Sequence, residues 1–257
     1  MSAKIAPAIA AGAEIDPIEW ELRCDLAAAY RQIARFGMDD LIYTHLSMRL
    51  PGPGDRFLIN PYGWLFDEIT ASSLVVVDAE GQPAGGFEDA AVNPAGFVIH
   101  SAIHRARADA HCVMHTHTLA GMAVAALEEG LLPVNQMSME FFGQVALHPY
   151  EGIADDLAER ERLVADLGGK PAMILANHGL LTVGQTVAEA FYYMYYLEQS
   201  CRIQVAAMST GAKLSLPPRD VCEHAAGQFG RGAPNKGQRP WAALRRRLDR
   251  EAPDYRT

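Results

Sequence analysis

From Glu19 to about Phe36 the apolar residues Leu22, Leu26, Ala29 and Ile33 recur at helical spacing, and Gly37 closes the run. That period predicts a helix with one buried stripe. Residues 56–60 and the Val-rich run 74–78 are short and apolar, each followed by a turn signal, Pro61-Tyr62-Gly63 and Glu80-Gly81-Gln82-Pro83. Both predict buried strands. Asn93-Pro94 opens a helix to about Arg107, with Asn as the cap and Pro at the first helical position. A strand over 112–117 and a helix capped by Thr118 and ending near Gly130 follow. Residues 155–167 read as a charged surface helix stopped by Gly168-Gly169. Apolar runs at 172–176 and 180–183 flank Asn177-His178-Gly179, a strand–turn–strand pattern. Thr186 and Glu189 form a capping box that starts a long helix to about Met208.

Helices and strands thus interleave along one continuous stretch. The pattern predicts a single α/β domain over 16–210, with strands sandwiched between helices. Residues 1–15 are expected to be a disordered leader, and 211–257 an irregular tail. Within that tail Trp241, Leu244 and Leu248 lie at three- and four-residue spacing, as in a helix that docks on its own body or on a neighbouring subunit.

Composition narrows the class. The 257 residues are 49% hydrophobic and 21% charged, close to the globular average. No apolar run reaches the roughly 20 residues of a membrane span. The formal charge is −9, which argues against nucleic acid as the main partner, since phosphate binding needs a basic surface. The charge is uneven: the residues from Arg231 onward hold eight Lys or Arg and three Asp or Glu, a balance of +5, leaving −14 for the body. The four cysteines, 24, 112, 201 and 222, are scattered without a C-x-x-C pair. They suggest free thiols and a cytoplasmic protein.

Nine histidines carry the candidate chemistry. His115 and His117 are two apart in a strand and so project to one side, where two imidazoles can share a metal ion. His178 sits in a tight turn between apolar strands, where a polar ring needs a reason. His100 and His104, one turn apart, read as helix-face residues, although that spacing is also compatible with metal binding. His148, in Leu147-His148-Pro149-Tyr150-Glu151-Gly152, reads as a loop residue with the titration range of a proton carrier.

The order His-x-His after a Pro-started helix, a later His-Gly turn and then a long helix resembles the class II aldolase/adducin family. The resemblance spans roughly residues 20–210. It is carried also by Thr44-His45-Leu46-Ser47-Met48-Arg49, Ile59-Asn60-Pro61-Tyr62-Gly63, the run Asp67 to Leu74, and Arg107-Ala108-Asp109-Ala110. It implies a three-layer α/β/α fold with a central, mainly antiparallel sheet. It also implies one divalent metal ion per chain, zinc, manganese or Fe(II), on His115, His117 and His178, and a homotetramer with sites between subunits.

The chain departs from the sugar-phosphate aldolases of that family. Their acid/base Glu falls at Gly96, two phosphate-binding serines fall at Pro94 and Ala95, and the Gly-Asn of their first phosphate loop falls at Thr44-His45. Their interface Tyr falls at Gln136. A phosphorylated sugar is therefore not the expected substrate. The expected activity is metal-dependent C–C cleavage, retro-aldol or decarboxylation, of a small non-phosphorylated hydroxy or keto acid. The alternatives are an Fe(II) oxygenase and an adducin-like scaffold. The candidate catalytic residues are His148, Tyr150 and Tyr62, and His45, Arg49, Gly63, Gln136 and Glu151 are the candidate substrate-binding residues.

Overall fold

In the computed structural model, residues 15–52, 54–87, 90–152, 159–230 and 235–257 are described. The first helix, α1 (Pro17–Arg35), starts where Asp16 accepts a hydrogen bond from the Ile18 amide at 2.6 Å, with Pro17 at the first helical position. It ends at Gly37, whose φ of +61° is left-handed. Among the described residues seven strands follow: β1 (His45–Arg49), β2 (Phe57–Ile59), β3 (Val75–Val77), β4 (Cys112–Thr116), β5 (Val145–His148), β6 (Ala172–Leu175) and β7 (Gly179–Gly184). They form one sheet in the order β3-β2-β1-β4-β7-β6-β5. Every neighbouring pair is antiparallel except β5 with β6, so the sheet is mixed but mainly antiparallel.

The remaining helices are α2 (Pro94–Ala106), α3 (Leu119–Ala125), α4 (Gln136–Glu140), α5 (Glu159–Leu167), α6 (Val187–Ser209), α7 (Arg219–Phe229) and α8 (Gln238–Glu251). Strand alternation divides the core into two layers. On one face Ile99 and Ile103 of α2 and Leu163 and Leu167 of α5 pack on Val113, Met173, Leu181 and Val183. On the other, α1, α3, α6 and α8 cover Cys112, Met114, Ile174 and Leu180. The result is the three-layer α/β/α arrangement.

Several elements differ from the expectations. His45–Arg49 and Val145–His148 are strands, so His148 ends a strand rather than lying in a loop. Strand β4 stops at Thr116, one residue before His117, and α3 ends at Ala125, short of Gly130. The segment after residue 210 is helical, in α7 and α8, rather than irregular. Trp241 and Leu248 are buried, and the Trp241 indole donates to Asp25 of α1 at 3.1 Å. Arg245 pairs with Asp25 at 2.6 Å. The final residues complete the packing, with the amides of Ala71 and Ser72 donating to the Tyr255 and Thr257 carbonyls at 2.8 and 2.9 Å. The basic tail of this chain thus lies on its own acidic body. The expected leader and the start of the expected 155–167 helix lie outside the described residues, apart from Ile15.

Candidate metal centre

Strand β4 puts Val113 and His115 on the α2/α5 face, and the chain leaves the strand so that His117 stays on the same side. Across the sheet His115 faces His45 of β1 and Leu181 of β7. The third histidine arrives from the β6–β7 hairpin. Its turn is closed by the His178 amide donating to the Leu175 carbonyl at 3.0 Å, with Asn177 at a φ of +56°. Asn tolerates this left-handed conformation better than most residues. Gly179 then lets β7 close on β4: a Cβ there would sit 2.5 Å from the Thr116 carbonyl oxygen and 3.1 Å from the His117 ring.

The three rings converge through their Nε2 atoms. His115 and His117 Nε2 lie 2.9 Å apart, as do His117 and His178 Nε2, and the three donor atoms all lie within 4.8 Å of one another. The outer nitrogens of His115 and His117 are engaged elsewhere. His115 Nδ1 donates to the Leu180 carbonyl at 2.9 Å, and His117 Nδ1 donates to the Asp40 carboxylate at 2.9 Å. A carbonyl oxygen and a carboxylate only accept, so both Nδ1 atoms hold the ring proton and both Nε2 atoms carry a lone pair. Two lone pairs 2.9 Å apart repel unless a cation lies between them. The donor set therefore fits a divalent metal, with a carbonyl and a carboxylate orienting the ligands from behind.

The electrostatics agree. Burial, reinforced by the neighbouring histidines, holds His115 well below the ordinary histidine range and lowers His178 to about 4. These rings are neutral at neutral pH, as metal ligation requires.

Of the other sequence candidates, His45 is brought to this cluster. Its ring lies 5.4 Å from that of His115, and its Nδ1 is 3.0 Å from His100 Nε2. Arg49, at the far end of β1, is tied to Asp55 at 2.6 Å and stacks over Phe57. His148 is buried, with Nδ1 2.7 Å from Asp166 and Nε2 3.5 Å from Glu159. Glu151 pairs with Arg162. Tyr150 and Tyr62 are both exposed, Tyr62 the less so. Gly63 turns the chain after β2 with a φ of +98°. Gln136, exposed, begins α4. Sequence reasoning missed Asp40. An aspartate 77 residues from its histidine carries no local signal, and only the fold brings the two together.

Comparison with known proteins settles the family. The family described as Class II Aldolase and Adducin N-terminal domain matches residues 24–205. The chain belongs to the class II aldolase/adducin family. A Caulobacter vibrioides protein, provisionally named an aldolase class 2 protein, is 50% identical over 250 residues, covering 97% of each chain. Alpha-adducin of Rattus norvegicus is 43% identical over 242 residues, which are 89% of this chain and 33% of the adducin. Among solved structures, an aldolase II superfamily protein from Pseudomonas syringae superposes with a TM-score of 0.88 at 53% identity, covering 95% of this chain and 98% of the other. An L-fuculose 1-phosphate aldolase from Glaciozyma antarctica gives 0.83 at 31% identity, covering 98% and 96%. The family and the α/β fold agree with the sequence-based expectation.

Proposed function

We propose that this protein is a divalent-metal-dependent lyase that cleaves a C–C bond in a small, non-phosphorylated hydroxy or keto acid. The observation that carries this reading is the three-histidine cradle, whose Nε2 atoms converge while a carbonyl and a carboxylate hold the opposite nitrogens of His115 and His117. A divalent ion held by His115, His117 and His178 supplies Lewis acidity toward a substrate carbonyl or carboxylate oxygen. Gly96 supports a non-phosphorylated substrate, because α2 brings no carboxylate at that position and begins Pro94-Ala95 where the phosphate-binding serines would stand.

The chain's own residues supply the rest. Asp40 orients His117, and Leu180 orients His115. His45, 4% exposed and beside His115, is the candidate that meets substrate from within this chain. His148, Tyr150, Tyr62, Gly63, Gln136 and Glu151 take part only if the wider pocket or a neighbouring copy brings them in. Leu119, two residues after His117, and Leu41 and Tyr43, which lie between Asp40 and His45 in sequence, are 85%, 64% and 50% exposed; they support an oligomer that covers this rim, and the family resemblance favours a homotetramer. The four free, buried cysteines support a reducing, cytoplasmic setting. Among the described residues no helix is long and apolar enough to cross a membrane.

The likeness to alpha-adducin favours one other reading, a scaffold that has kept the metal site without turnover. The experiment that separates the readings incubates protein loaded with zinc, manganese or Fe(II) with a panel of short hydroxy and keto acids. It follows aldehyde, CO₂ and O₂. The lyase reading expects carbonyl product or CO₂ without O₂ uptake. O₂ uptake with the Fe(II) form alone identifies an oxygenase, and no turnover in a fully loaded panel supports the scaffold.

A further inference from the structure

The face of β1 that carries His45 also carries Ser47, and both meet α2. From there a chain of hydrogen bonds runs into the core. His104 Nδ1 lies 2.7 Å from the Ala110 carbonyl oxygen, and His104 Nε2 lies 2.7 Å from Ser47 Oγ. Ser47 Oγ lies 2.6 Å from His100 Nδ1, and His100 Nε2 lies 3.0 Å from His45 Nδ1. Ser47, His100 and His104 are wholly buried, so each must find its partner within the chain.

The far end sets the direction. A carbonyl oxygen only accepts, so His104 Nδ1 carries the proton. Burial keeps His104 neutral, lowering its pKa to about 3, so its Nε2 has a lone pair and takes the single hydroxyl hydrogen of Ser47. The Ser47 oxygen is then left to accept from His100 Nδ1–H. His100, also held neutral by burial, has its lone pair on Nε2 and accepts from His45 Nδ1–H. Each proton position follows from the one before it, and the last leaves His45 Nε2 without a proton.

We propose that the His104–Ser47–His100 chain locks His45 in its Nδ1–H tautomer, so that Nε2 presents a lone pair beside the three-histidine cradle and accepts a hydrogen bond from a substrate hydroxyl. Ser47, His100 and His104 are positioning residues, and His45 touches the substrate. An alcohol satisfies that nitrogen. A keto oxygen or an ionised carboxylate in the same place sets lone pair against lone pair. The site therefore selects a hydroxy acid over the corresponding keto acid. The choice of an organic acid as ligand rests on the proposed lyase function; the tautomer does not.

Two measurements on the full-length protein with ¹⁵N-labelled histidine test these parts separately. In metal-free protein, two-bond ¹H–¹⁵N correlation spectra report the tautomer of each ring, with His45→Asn used to assign the His45 signals. The expected result is protonated Nδ1 and unprotonated Nε2 for His45, His100 and His104, and a mixture at His45 in Ser47→Ala. A protonated Nε2 on His45 in the wild type overturns the proposal. So does a folded Ser47→Ala variant that keeps the single Nδ1–H form. If that variant does not fold, the wild-type spectrum decides alone. In zinc-loaded protein, lactate is expected to shift the His45 Nε2 resonance and pyruvate to leave it in place. Equal shifts, or none with either acid, overturn the assignment of this nitrogen to a hydroxyl.

Discussion

Three histidines became a candidate centre because their Nε2 atoms converge and other residues fix which nitrogen two of them, His115 and His117, offer. Spacing allowed His115 and His117 to share an ion, the family resemblance implied His178 as the third ligand, and the structure places the three Nε2 atoms together. The groups behind them were not readable. Leu180 acts through a backbone oxygen that any residue would supply. Asp40 reaches His117 from a loop whose Leu41 adopts a φ of +50°, rare for a residue with a branched side chain. Replacing Asp40 with Asn should weaken metal binding about 10–100-fold while the fold stays intact. Calorimetric titration with zinc checks this, and an affinity unchanged within about twofold would remove Asp40 from the account.

At the scale of elements, the strands that were missed show how a polar pattern can conceal a buried face. His45 and Ser47 read as polar positions, yet both are buried on β1 because α2 supplies their hydrogen-bond partners. His148 was hidden in the same way on β5, with Asp166 of α5 as its partner. The β6–β7 hairpin was plain from its apolar runs and its Asn-His-Gly turn, although the reason for glycine is a tertiary contact with Thr116. Gly179→Ala should force β7 away from β4, destabilise the protein by about 1–3 kcal/mol and lower metal affinity as the His178 turn shifts. Denaturant unfolding with a parallel zinc titration reads both effects. Wild-type values for both would mean that the hairpin does not depend on this close approach.

Across the whole molecule, the basic tail packs on the body through α8, whose Trp241 and Arg245 both meet Asp25 of α1. The expected Trp241, Leu244 and Leu248 stripe lies in α8, and α7 gave no clear signal because Cys222 is its one buried residue in this chain. Trp241 packs 5.2 Å from the Phe191 ring and bonds to Asp25. Trp241→Ala should cost about 3–5 kcal/mol of stability and leave the metal cradle, on the opposite face, loaded. A melting temperature close to wild type would show that the tail does not brace the body.

Stability should also follow pH in a defined direction. Burial lowers His45 and His104 to about 3 and His178 to about 4, below the value of about 6.5 expected for an unfolded chain. The unfolded state therefore binds more protons in that window. Stability is full above about 6.5 and falls as pH drops toward about 3. Thermal melts of the metal-free protein between neutral and acid pH check this, and a flat profile between about pH 6.5 and 4 would contradict it.

The central claim is that His115, His117 and His178 hold a divalent metal. Elemental analysis of protein purified without added metal, beside His115→Ala and His178→Ala, tests it most directly. The account predicts about one metal ion per chain in the wild type and near zero in both variants, with circular dichroism and oligomer size unchanged. Wild-type metal content retained in both folded variants would contradict it.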